Sequence, residues 1–141
     1  MGEAGPSFET VMRRSVRDAV VAHAREDAPL ECCGLLLGTP ALVEEAVRAV
    51  NLRQSATAFL VDPADHFAAI RRARAEGRAI VGAYHSHPRS PAVPSRVDVR
   101  EAQYDEFVYL IVSLADERAP DVRAYRLRAA QFVPATLVEV P

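Results

Sequence analysis

The sequence predicts an α+β domain, which can equally be described as α/β layered, built on one curved, mostly antiparallel mixed sheet flanked by helices. Three observations carry this expectation. Apolar runs at residues 31–38, 79–84 and 107–114 have the length and composition of buried strands. Two other segments space their apolar residues at helical intervals and open on capping patterns, Ser15-Val-Arg-Asp18 and Asp62-Pro63. The helical segments are separated by several strands, so the element order is mixed. At 141 residues the chain reads as a single domain, 1–141, large enough for a real core, with residues 1–7 as a frayed terminus.

In chain order, residues 8–12 form a short strand. A first helix follows from Ser15 to about Glu26, with Val16, Ala19, Val20, His23 and Ala24 on or near its apolar stripe and Pro29 closing it. His23 there is a packed or half-exposed side chain rather than a ligand. The strand at 31–38 ends at Gly38 and Pro40, and 43–50 pairs back on it antiparallel through the Thr39-Pro40 turn. Residues 51–57 are polar loop and 58–61 a short strand. The second helix runs from Asp62-Pro63 to Glu76, stopped by Gly77, with Ala64, Phe67, Ile70 and Ala73 inward. Arg71, Arg72, Arg74 and Arg78 make its solvated basic end, and His66 lies off any site. After a central strand at 79–84 come a helix from about Arg96 to Tyr104 and a strand at 107–114. An edge or near-edge strand at 121–127 and a last strand at 132–140, interrupted by Pro134, complete the chain.

Composition excludes some functions. A net charge of −2 and a pI near 6.1 give no electrostatic case for nucleic acid or an anionic membrane. All 17 basic residues are Arg, which reads as composition bias. Cys32 and Cys33 are adjacent within an apolar run, an arrangement that disfavours a disulfide between them and fits a reducing compartment. The first residues lack a basic segment followed by an apolar one, and no apolar run approaches a membrane span. The expected location is the cytoplasm.

The chemistry concentrates at Tyr84-His85-Ser86-His87-Pro88. Residues two apart on a strand point to the same side, so both imidazoles leave the strand end together while Ser86 points away. Pro88 cannot donate to a ladder and ends the strand. A loop stiffened by Pro91 and Pro94 leads to Ser95-Arg-Val-Asp98, a helix-start pattern that places Asp98 in the first turn. Two neutral His and one Asp make a three-ligand catalytic zinc set with a fourth position for water. Each part is ordinary alone. The combination is specific: His-x-His-Pro, six residues, Ser, two residues and Asp.

At this point the sequence resembles the JAMM metalloproteases, or MPN-domain proteins, whose signature is an upstream Glu followed by that pattern. Glu31, His85, His87, Pro88, Ser95 and Asp98 match every position, and the resemblance extends from about Val11 to Leu127. It implies the MPN fold, one zinc ion held by His85, His87 and Asp98, and Glu31 as the acid and base. It implies that Ser95 donates a hydrogen bond to the developing oxyanion, although Ser95 also reads as a helix cap, and both uses call on one hydroxyl. Cys33 falls at a packing position of the family rather than at a nucleophile's.

The family cleaves after the C-terminal glycines of ubiquitin and ubiquitin-like proteins. A chain this short looks like the bacterial members that process ubiquitin-like sulfur carriers at a diglycine end. The resemblance thus implies a carrier tail as partner, lying along the 89–94 loop by strand addition. Two alternatives stand beside it: a zinc peptidase or amidase for other small peptides, and a non-catalytic MPN scaffold. Leaving group and oligomeric state are not readable from the sequence.

Overall fold

The computed structural model describes residues 8–101 and 107–141. The expected fraying of residues 1–7 and the expected end of the third helix at 102–104 lie outside them. The elements run β1 (Phe8–Arg13), α1 (Arg14–Asp27), β2 (Cys33–Thr39), β3 (Leu42–Ala49), α2 (Pro63–Ala75), β4 (Ala79–His87), α3 (Arg96–Glu101), β5 (Val108–Ser113), β6 (Asp121–Arg128) and β7 (Gln131–Val140). The strands are ordered β1-β3-β2-β4-β5-β6-β7, and the sheet closes on itself where β1 pairs with both β3 and β7. The β2–β3, β2–β4, β5–β6 and β6–β7 pairs are antiparallel, whereas β1–β3, β1–β7 and β4–β5 are parallel. The mixed, mostly antiparallel sheet with flanking helices is the expected one.

β2 is covered on both faces, which is why it reads as an unbroken apolar run. Leu36 joins Val16, Val20 and Ala24 of α1, with Met12, Tyr84 and Leu110, in the main core. Leu35 and Leu37 point the other way, onto Ala69 and Ala73 of α2. Each fully buried large apolar side chain contributes about 1.5–3 kcal/mol, so α1 and α2 are held chiefly by these contacts. Gly34 makes room for this arrangement. A Cβ there would fall 2.3 Å from the Tyr84 ring and 2.4 Å from the Val47 carbonyl, so the β2 backbone must stay bare for Tyr84 to pack beneath it.

Five local expectations are corrected. Ser15 does not cap α1: β1 stays paired with β7 through Arg13↔Val140 and runs directly into the helix, so Arg13 occupies the cap position without a side-chain bond. The inward face of α2 is Ala69 and Ala73, while Ala64 is exposed and Phe67 is 66% exposed, because small residues let the helix lie close on Leu35 and Leu37. Residues 58–61 form no strand; Asn51↔Val61 is an isolated bridge. β6 is no edge, since β5 and β7 flank it, and β7 passes through Pro134 opposite Tyr125 without interruption. The Asp62 cap is as expected, with its carboxylate accepting from the Ala64 N–H at 2.9 Å.

Candidate metal centre

The site is assembled at the C-terminal end of β4, between β2 and β5. Cys33 pairs with His85 in the β2–β4 ladder, and Cys32 and Ser86 extend it. The Ser86 N–H donates to the Cys32 carbonyl at 3.1 Å, and the Cys32 N–H donates to Ser86 Oγ at 2.8 Å. Ser86 is therefore turned away from the imidazoles and fastens the two strands. Continuing the register one residue brings Glu31 opposite His87, and directly opposed residues point to the same side of a sheet. The Glu31 carboxyl thus shares its face with His85 and His87.

The loop after His87 is held by its own carbonyls. Ser113 Oγ donates to the Ser90 carbonyl at 2.6 Å, His87 Nδ1 to that of Pro91 at 2.8 Å and Tyr125 OH to that of Ala92 at 2.6 Å. This delivers Ser95 to the start of α3, where a reciprocal capping box forms. The Asp98 N–H donates to Ser95 Oγ at 3.0 Å, and the Ser95 N–H donates to Asp98 Oδ2 at 2.8 Å. Capping draws on a lone pair of the Ser95 oxygen and not on its proton, so capping and donation do not exclude one another.

His85 Nε2, His87 Nε2 and Asp98 Oδ2 make a nearly equilateral triangle. The His–His and His87–Asp98 edges are 3.1 Å and the His85–Asp98 edge is 3.2 Å. Bonds of about 2.0–2.1 Å to a tetrahedral ion place neighbouring ligand atoms about 3.3 Å apart, so the triangle fits such an ion. Donation from His87 Nδ1 to a carbonyl leaves the Nε2 lone pair for the ion. Phe59 stacks on His85, with ring centroids 4.4 Å apart and planes at 18°. All three residues of the triangle are buried, and among the described residues they form the cluster able to hold a metal.

The electrostatics follow from this packing. Burial pushes Asp98 toward its neutral form, but hydrogen bonds from His85 and His87 outweigh it and hold the carboxyl far below the usual range. Burial lowers His85. It works the same way on His87, where contacts with Asp98 and the Pro91 carbonyl overcome it and leave the pKa raised. Protons therefore compete with a cation at His87 more strongly than at an ordinary imidazole. Metal retained after dialysis across a pH series should fall as the pH is lowered from neutral into the acid range. Retention that is flat over that interval would contradict this account.

Glu31 is 4% exposed and its Oε1 has no hydrogen-bond partner among the described residues. Burial pushes its pKa up to about 7; a smaller effect of His87 opposes the shift, and the charge of Asp98 adds to it. A carboxyl so placed exchanges a proton near neutrality. Burial instead pushes both cysteine thiols up to about 12, which leaves little thiolate for nucleophilic work. His23 is buried, with Nδ1 2.7 Å from Tyr84 OH and Nε2 3.3 Å from Asp27, a packed side chain as expected. His66 is not part of the cluster.

Sequence reasoning missed Asn51, Phe59, Ser113 and Tyr125. Phe59 sat in an expected strand, and the other three act only through tertiary contacts. No helix among the described residues is long and apolar enough to cross a membrane.

The chain is 33% identical over 125 residues to the CysO-cysteine peptidase of Mycobacterium tuberculosis, covering 87% of this chain and 86% of that one. It is 36% identical over 104 residues to the desampylase of Haloferax volcanii, covering 69% and 75%. The solution structure of a protein from Desulfitobacterium hafniense superposes with a TM-score of 0.86 at 31% identity, over 93% of this chain and 92% of that one. Residues 13–128 match the family described as prokaryotic homologs of the JAB domain, and the chain belongs to that family.

Proposed function

We propose that this chain is a zinc peptidase that cuts after the C-terminal diglycine of a ubiquitin-like sulfur-carrier protein. Peptidase activity is supported by the family and by the peptidase and desampylase among its relatives. The observation that carries the reading is the unpartnered, buried Glu31 Oε1, on a carboxyl that feels the charges of His87 and Asp98.

His85, His87 and Asp98 would hold the ion, whose chemistry when bound is to polarise the scissile carbonyl and acidify water. Glu31 takes a proton from the attacking water at Oε1 and returns it to the leaving amine. In the metal-free chain this carboxyl titrates near 7, so burial alone brings both its ionised and neutral forms within reach of neutral pH. Ser95, at the mouth of α3, donates its hydroxyl proton to the carbonyl oxygen as charge develops. The capping box fixes its position for this. The two free, buried thiols suit the reducing cytoplasm, where we place the enzyme.

The test is mass spectrometry of a ubiquitin-like carrier extended beyond its diglycine by cysteine or a short peptide, after incubation with the zinc-loaded chain. Release of the extension with the diglycine left on the carrier is expected. An intact carrier alongside hydrolysis of short unrelated peptides would replace this substrate with the small-peptide one.

A further inference from the structure

The loop between β3 and α2 forms no regular ladder, yet it supplies Phe59 to the face of His85. One side chain joins its two ends to Glu31. Asn51 is buried, and its carboxamide is saturated. Nδ2 donates to the carbonyls of Glu31 at 3.0 Å and Ala58 at 3.1 Å, and Oδ1 accepts from the N–H groups of Arg53 at 3.0 Å and Leu60 at 2.9 Å. A carboxamide has two N–H groups and two oxygen lone pairs, so each has a partner. Ala58 and Leu60 are the neighbours of Phe59. The same side chain therefore grips the main chain of Glu31 on one side and both flanks of Phe59 on the other. Other bonds add to this, among them one from the Val50 N–H to the Asp65 carboxylate at 2.7 Å. The Leu52 N–H donates to the Leu60 carbonyl at 2.9 Å, the Asp62 N–H to that of Val50 at 3.0 Å, and the Glu31 N–H to that of Ser55 at 2.7 Å.

The geometry points to Asn51 as a positioning residue that couples the Glu31 carboxyl to the metal ligand His85 through Phe59. Asn51 touches neither ion nor substrate. It sets where Glu31 enters the site and how firmly the Phe59 ring holds the His85 imidazole in its ligating orientation. The assignment rests on the roles given above to Glu31 and His85. Groups that orient metal ligands typically carry a tenfold to hundredfold effect on affinity or activity when removed.

The experiment compares Asn51→Ala, Asn51→Asp and Phe59→Leu with the wild-type chain. Zinc affinity is read by competition with a chromophoric chelator, and kcat and KM are read on the extended carrier at saturating zinc. Asn51→Asp keeps the acceptor for Arg53 and Leu60 but turns a carboxylate oxygen toward two carbonyls. Both Asn51 variants should lose about 10- to 100-fold in kcat with KM changed less than about threefold, and should bind zinc about tenfold more weakly. Phe59→Leu should share the affinity loss and keep most of kcat, because its link to Glu31 is intact.

A folded Asn51→Ala chain with wild-type kcat and zinc affinity, or with a raised KM alone, overturns the assignment. If Asn51→Ala does not fold, Phe59→Leu decides: unchanged zinc affinity overturns the coupling, and a tenfold loss upholds it. A wild-type chain inactive on the carrier, together with weaker zinc binding by the Asn51 variants, would overturn the substrate reading and uphold Asn51.

Discussion

Glu31→Gln is expected to keep zinc, lose hydrolysis by about 10²- to 10⁴-fold, and yield a metal-free chain more stable than the wild type at pH 8. The first two outcomes follow from placement. Glu31 stands outside the ligand triangle, so an isosteric amide leaves the metal set intact but cannot accept the water's proton. The third follows from burial. The folded carboxyl titrates near 7 against an ordinary 4.5, so the folded state holds this proton more tightly than the unfolded one. Its contribution to stability is full below about pH 4.5 and is lost as pH rises through 7, where an ionised carboxylate must sit in a buried site. A shift of this size corresponds to about 3 kcal/mol at most, and the neutral glutamine escapes it. Chemical denaturation of metal-free wild type and variant at pH 4 and pH 8 checks the sign. The variant should gain only at the higher pH, and a gain that is equal at both would detach the effect from titration. Near-normal turnover by the variant would remove Glu31 from the mechanism.

That trade of stability for function explains what could be read in advance and what could not. His85, His87 and Asp98 were legible because two short-range rules suffice: strand alternation aligns the imidazoles, and the Ser95–Asp98 spacing is a capping box that also aims the carboxylate inward. The mixed sheet was legible because β2 and β5 are apolar on both faces. Closure of the sheet was not, since it depends on Met12↔Val43 and on β7 pairing with β1 across the whole chain. The inward face of α2 was misjudged for a related reason. Apolar character favours Phe67, but Ala69 and Ala73 are the residues of α2 that pack on Leu35 and Leu37. Asn51 reads locally as one polar loop residue. Its four partners lie at positions 31, 53, 58 and 60, and only the folded chain brings them together.

Asp98→Ala should abolish both metal retention and hydrolysis, and Asp98→Asn should tell ligand from cap. Asp98 Oδ2 lies against both imidazoles and also accepts from the Ser95 N–H, so alanine removes a ligand, a charge and half of the capping box at once. Dividing about 10–16 kcal/mol of structural zinc binding among four ligands gives roughly 3 kcal/mol for one, more than a hundredfold in affinity. Loss of a cap costs only about 1 kcal/mol of stability. Asparagine keeps an oxygen for the Ser95 N–H but offers the ion a neutral, weaker ligand. If the carboxylate acts as a ligand, elemental analysis should find zinc near one per chain in the wild type and little in either variant, while the melting temperatures of the metal-free chains should fall clearly only for alanine. Zinc bound at wild-type affinity by Asp98→Asn would mean that the imidazoles and a group other than this carboxylate hold the ion. His87→Ala sharpens the comparison. It removes a ligand without touching the cap, so it should match Asp98→Asn in lost zinc and lost activity.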